Sequence, residues 1–175
     1  MANSQNVIRL GVLFVILLAL QVLVFNNLNF LGYVNPYPYI LLLLTMPFGV
    51  STAFLMVVGF VLGFSVDMFC NTPGMHAGAC VLLSYVRPYI LKFISLHDDY
   101  KIGTLPTLYT YDASWYLKYV LMGVGVHHVV LFAFEQIDTI LWWPTLLRML
   151  LSAAATVILI YVSQFFVRIG GGSAK

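Results

Sequence analysis

YPYILLLLTMPF, residues 37–48, settles how often this chain crosses a bilayer. The stretch is apolar but short, and Pro36, Pro38 and Pro47 bound it. A bilayer core about 30 Å thick needs roughly 20 helical residues to span it, so length alone favours a partial helix. Charge decides the other way. If the segment crosses and the N-terminus lies inside, the inner side holds Arg9, Arg87, Lys92, Lys101, Lys118, Arg168 and Lys175. The outer loops then hold Glu135 and Asp138, with Asp67 nearby and Arg148 within the last span. If it does not cross, the basic loop from Ile94 to Ser114 moves outside, against the positive-inside rule. The expected fold is therefore all-α, a single compact bundle of six transmembrane helices with both termini cytoplasmic.

Five longer apolar runs surround this segment. Spans are expected over residues 8–26, 37–48, 51–69, 75–94, 115–134 and 144–167, all within one domain, 1–169. The second, being short, must tilt little or thin the bilayer locally. Arg87-Pro88 is expected to interrupt the end of the fourth, and Asp112 or Ser114 to cap the fifth. Tyr33, Tyr37, Tyr39, Trp142 and Trp143 suit an outer aromatic belt; Trp115 and Tyr116 suit an inner one. Residues 170–175 read as a flexible tail. The apolar run after Arg9 mimics a signal peptide but ends in Asn26-Asn27-Leu28-Asn29, without a small-residue cleavage pattern, so it reads as an uncleaved first span.

Composition agrees with lipid as the solvent. Hydrophobic residues make up 62% of the 175 positions and charged residues 8%, against about 25% charged in an average soluble domain. A net charge of +2 with dispersed basic residues gives no case for nucleic acid. Cys70 and Cys80 have no metal spacing and read as buried small apolar residues rather than a disulfide. There is no convincing internal repeat.

Asp67 is the sharpest polar feature, because an acid within a span is costly and points to function. It follows Gly59 and Gly63 at spacing four, so all three share one helical face. Two readings stand. The carboxylate anchors a partner or Arg148 in a protein interface, or it caps the turn before Gly74 and faces outer water. Gly74 and Gly78 form a second small-residue pair, which suits close packing of the third and fourth helices. His127, His128 and Glu135 share the fifth helix. Interhelical hydrogen bonding suits them better than a proton relay or half a metal site, since adjacent histidines diverge. Ser84, Ser152 and Ser163 read as isolated packing residues, and no nucleophile stands beside a base. The loop from Ile94 to Ser114, with His97, Asp98, Asp99, Lys101, Tyr109 and Tyr111, reads as a solvated connection before a docking surface. Neither an enzyme nor a cofactor or metal is expected.

Gly59-Phe60-Val61-Leu62-Gly63-Phe64-Ser65-Val66-Asp67, followed by Gly74-Met75-His76-Ala77 and by Tyr85-Val86-Arg87-Pro88, resembles the signature of MreD, the bacterial rod shape-determining membrane protein family. Asn35-Pro36-Tyr37-Pro38 before the leucine run is similar to that family's proline-led second segment. The likeness covers essentially the whole chain; the Asn35-Pro36 pair and the longer inner loop depart from the commonest pattern. It implies a non-enzymatic scaffold of the cell-elongation (rod) complex in the bacterial cytoplasmic membrane, with a part in cell shape and lateral peptidoglycan synthesis. Partners implied are an MreC-like protein and, through it, MreB, RodA and a class B penicillin-binding transpeptidase, besides membrane lipid. For that association the resemblance implies Asp67, Gly63 and Gly74; Gly59, Gly78 and Arg87 complete the expected partner-binding or packing set. The implied fold resembles the substrate-binding subunit of energy-coupling-factor transporters, so a vitamin-binding transporter subunit is the rival reading. Such subunits usually carry alanines at spacing four on an early helix, and here the first helix has only Ala19. The rival would also need convergent outer polar groups, for which Asp67, Asn71, Glu135 and Arg148 are candidates.

Overall fold

A computed structural model describes residues 4–28, 33–94, 100–136 and 142–170. The regular elements among them are helical. Five long helices, α1 (Ser4–Leu23), α3 (Thr52–Cys70), α4 (Met75–Ile94), α5 (Ala113–Glu135) and α6 (Trp142–Gly170), are accompanied by α2 (Leu41–Leu44), and 3-10 turns occupy Phe25–Asn27 and Pro38–Ile40. All five long helices are apolar enough to cross a membrane, as in a multi-pass membrane protein. Their outward faces carry Val15 of α1, Phe60 and Phe64 of α3, Val129 of α5 and Ile158 of α6, all exposed. Lipid covers such surfaces where water would not tolerate them. The helices pack in sequence, α3 on α4, α4 on α5 and α5 on α6, while α1 lies on α3 and the 38–44 segment.

Local chemistry sets the ends. Ser51 caps α3 by accepting from Phe54 N–H, and Asp112 caps α5 by accepting from Trp115 N–H at 2.9 Å. Asn71 ends α3 in the left-handed conformation, which Asn tolerates better than most residues. Contrary to expectation, α4 continues through Arg87-Pro88 to Ile94. Gly170, read as tail, is the last residue of α6, and residues 171–175 lie outside the described residues.

The 37–48 segment departs most from its expected form. It is no continuous membrane helix: one 3-10 turn leads into the single helical turn of α2. Yet it runs from one end of the bundle to the other. Asn35 and Tyr37 sit against Ser152 and Thr156 near the end where α3 gives way to α4. Phe48 sits at the opposite end, bonded through its amide and carbonyl to Thr104 and Gly103. Every residue from Pro36 to Leu44 is buried. Irregular backbone at membrane depth is tolerated only when protein surrounds it, which is the arrangement here. From Pro36 to Leu44 this stretch presents no outward apolar face of its own. Tyr37 and Tyr39 are core residues, not members of an interfacial belt.

Side chains supply the hydrogen bonds that a long helix would have made internally. Asn35 N–H donates to Ser152 Oγ at 3.0 Å and Tyr37 N–H to Thr156 Oγ1 at 2.9 Å. Gln21 Nε2 donates to the Pro36 carbonyl at 3.2 Å. At the far end Thr45 Oγ1 donates to the Leu41 carbonyl, Tyr119 Oη to the Leu44 carbonyl and Arg87 Nη2 to the Met46 carbonyl. Arg87, counted as an inner-surface charge in the sequence, is 3% exposed and works inside the bundle, its Nε also donating to Tyr119 Oη at 2.7 Å. Arg87→Met is expected to destabilise the fold by about 1–3 kcal/mol, since a buried carbonyl loses its donor. Detergent unfolding followed by helical circular dichroism checks this, and an unchanged midpoint would refute it.

The loop read as a solvated connection instead closes the Phe48 end. Residues 95–99, including His97, Asp98 and Asp99, lie outside the described residues. From Tyr100 onward the chain folds back: Tyr100 stacks on Phe48 at 4.6 Å and Tyr111 on Trp115 at 4.3 Å between ring centroids. Tyr100 Oη accepts from Trp115 Nε1 and donates to the Leu91 carbonyl. Trp115 is thus half-buried in an aromatic cluster rather than displayed to a lipid interface, and Tyr116 is buried.

Candidate functional site

The signature residues meet at the Cys70 end. Asp67, one turn before the end of α3, is 3% exposed. Its Oδ1 accepts from His76 N–H at 3.0 Å and Thr72 Oγ1 at 2.9 Å, and its Oδ2 accepts from Ala77 N–H at 2.9 Å. The first amides of a helix have no intrahelical partner, and the helix dipole favours negative charge there. Asp67 therefore caps α4 from the neighbouring helix. It does not face open water, and it does not pair with Arg148, whose Nη1 lies 2.7 Å from Glu135 Oε1.

The glycines explain how the carboxylate gets close enough. A Cβ on Gly63 would collide with the His76 carbonyl oxygen and lie 2.6 Å from Ala77 N and Cα. A Cβ on Gly59 would lie 2.6 Å from Ser84 Oγ and 2.9 Å from the Cys80 carbonyl oxygen. These two glycines let α3 and α4 approach backbone to backbone. The Gly74–Gly78 pair does not join that seam. Gly74 sits in the turn at φ +85°, a conformation that favours glycine, and Gly78 faces Phe134 of α5.

Beneath the cap lies a tyrosine–histidine cluster that the sequence did not reveal. Tyr39 Oη is 2.8 Å from both His76 Nδ1 and His127 Nε2. The hydroxyl has one proton, so one imidazole accepts it while the other donates its own. His128 Nδ1 donates to the Val124 carbonyl at 3.0 Å, and its Nε2 lies 3.3 Å from Thr156 Oγ1. Tyr37 packs against all three imidazoles. Histidines 127 and 128 thus serve interhelical contacts on different sides of α5. Among the described residues no three His, Cys, Asp or Glu side chains converge in a metal-ligand arrangement. Both cysteines are free, Cys70 accepting from Asn26 Nδ2.

Above the cluster a cavity of ≈ 590 Å³ opens at the Cys70 end. Tyr37 and His76 form part of its lining, with Asn26 and Asn35 from the first connection and the Glu135–Arg148 pair from α5 and α6. Val22, Phe69, Leu131 and Phe134 add apolar wall. Of the outer polar groups anticipated, Glu135 and Arg148 line this cavity; Asp67 and Asn71 do not. Asp138 lies outside the described residues. One signal was available beforehand: Ser152 and Thr156, spaced by four, place two hydroxyls on one face of α6. Ser152, read as an isolated packing residue, holds the Asn35 amide.

Compared with known proteins, the chain matches no family, no curated protein and no solved structure.

Proposed function

We propose that this chain is a non-enzymatic scaffold of the MreD kind, holding an MreC-like single-span protein in the rod complex of a bacterial cytoplasmic membrane. MreB, RodA and a class B penicillin-binding transpeptidase are then reached through that partner. One observation carries the reading. The two separated parts of the signature, Gly59 to Asp67 and Gly74 to Ala77, meet in one contact, with Asp67 on the amides of His76 and Ala77 and Gly63 against the same two residues. The buried polar groups support a structural role as well: Asp67 holds α4, while Arg87, Ser152 and Thr156 hold the 35–48 passage.

In this reading the chain crosses six times, five times as long helices and once as the sheltered passage, in a bundle resembling the transporter substrate-binding subunit. Arg9, Lys92, Lys101 and Lys118 all belong to the Phe48 end, so that end is cytoplasmic and the cavity opens outward. Both termini are then inside. The test is co-purification of the full chain with an MreC-like protein after mild detergent extraction, together with cell shape after deletion of the chain. Retention of the partner and loss of rod shape are expected. Absence of the partner from the eluate, with cells still growing as rods, would sink the assignment.

A further inference from the structure

The outward cavity contains a feature the scaffold role does not use. The Glu135–Arg148 pair is partly open, with side-chain exposures of 35% and 37%. Arg148 Nη1 lies 2.7 Å from Glu135 Oε1, and the guanidinium carbon stands 5.9 Å from the Phe132 ring centroid. At that exposure the carboxylate and the guanidinium still have surface to offer a ligand. Asn35 lines the same cavity, with its Oδ1 enclosed rather than open to it. His76, 4% exposed, forms part of the lining with its Nδ1 committed to Tyr39.

Charge selects the ligand class. A simple anion taking Arg148 would leave Glu135 without its partner, and a simple cation taking Glu135 would strand Arg148. Each outcome gives up the pair's mutual attraction, which is modest at this exposure but is kept by a ligand carrying both charges. A zwitterion replaces both halves at once: its ammonium meets Glu135 and its anionic group meets Arg148. Depth points to where such a ligand comes from. Trp142 and Trp143 open α6 and are 76% and 74% exposed, as interfacial anchors are. Arg148 lies six residues further along, about 9 Å deeper at the α-helical rise. The ion pair therefore lies about 9 Å below the tryptophan level, within reach of a headgroup drawn down from it. The cavity volume falls within the roughly 300–1,000 Å³ typical of small-ligand pockets.

We propose that the Glu135–Arg148 cavity binds a compact zwitterion that joins an ammonium to a phosphate, as the ethanolamine phospholipid headgroup does. The same chemistry exists in soluble form, and two arms separate the sources. In the first, the full chain is extracted from vesicles of mixed phosphatidylethanolamine and phosphatidylglycerol, and retained lipid is identified by native mass spectrometry. In the second, the detergent-solubilised chain is titrated with O-phosphoethanolamine. Preferential retention of phosphatidylethanolamine, saturable phosphoethanolamine binding, or both, is expected from the parent; the first alone assigns a lipid, the second alone a soluble ligand. Glu135→Gln, which removes the charge but keeps the shape, should weaken binding about tenfold or more. Asn27→Trp fills the cavity mouth from an exposed position and should do the same, which keeps the test decisive if Glu135→Gln fails to fold. Three results overturn the proposal: neither zwitterion held by the parent, binding unchanged in the folded variants, or a saturable thermal shift with a B vitamin and none with a zwitterion. Zwitterion binding lost while an MreC-like partner is still retained, or the reverse, separates this role from the scaffold.

Discussion

Asp67→Ala is expected to cost about 3 kcal/mol or more of stability, among the largest effects of any single substitution in this chain. The carboxylate accepts three hydrogen bonds while almost completely buried. Alanine leaves two α4 amides with no acceptor. The helix cannot supply one, because both amides lie in its first turn. Hydrogen bonds to a charged group contribute about 1.5–3 kcal/mol each, and a buried donor left unsatisfied costs about 1–3 kcal/mol. Asp67→Asn keeps one acceptor oxygen and should fall between parent and alanine. Unfolding in mixed micelles, followed by far-ultraviolet circular dichroism, orders the three proteins. If Asp67→Ala unfolds at the parent's midpoint, the carboxylate is not the cap.

Gly63→Ala should rival that loss, although it adds only a methyl group. The new Cβ meets the backbone of His76 and Ala77, which cannot rotate aside as a side chain would. The helices must separate, and overpacking of this kind costs about 1–3 kcal/mol, occasionally more. Separation also draws Asp67 away from the amides it caps, so Gly63→Ala and Asp67→Ala should together cost less than their sum. Gly11 is the control. Nothing lies within 4 Å of its Cβ position, so Gly11→Ala should be neutral or gain up to about 1 kcal/mol from helix propensity. Equal midpoints for Gly63→Ala and Gly11→Ala would mean that α3 and α4 do not touch at Gly63.

Much of the fold was legible because apolar length is a local property. The long helices follow from uninterrupted runs of Leu, Val, Ile and Phe, and Asp112 was readable as a cap from its place before a run. The Gly59, Gly63 and Asp67 face was readable because helical spacing fixes which side chains share a side. The destination of that face was not. Whether Asp67 meets water, Arg148 or a helix end depends on how α3 and α4 cross. The same limit hid Arg87. A basic residue near an inner boundary ordinarily faces water, but this one turns inward because the irregular passage exposes the Met46 carbonyl to it. The Tyr39 bridge joins residues 37 and 88 positions apart, beyond the reach of any spacing rule.

The sequence by itself determined that lipid is the solvent for this chain, since no water-soluble core could absorb so many apolar side chains with so few charges. It also determined where the long helices run, because hydrogen bonding within a helix is satisfied locally. Tertiary structure alone decided how residues 37–48 traverse the bundle. That path has only the few internal hydrogen bonds of two short turns, and the rest come from donors and acceptors on α1, α4, α5 and α6, brought together only when the bundle closes.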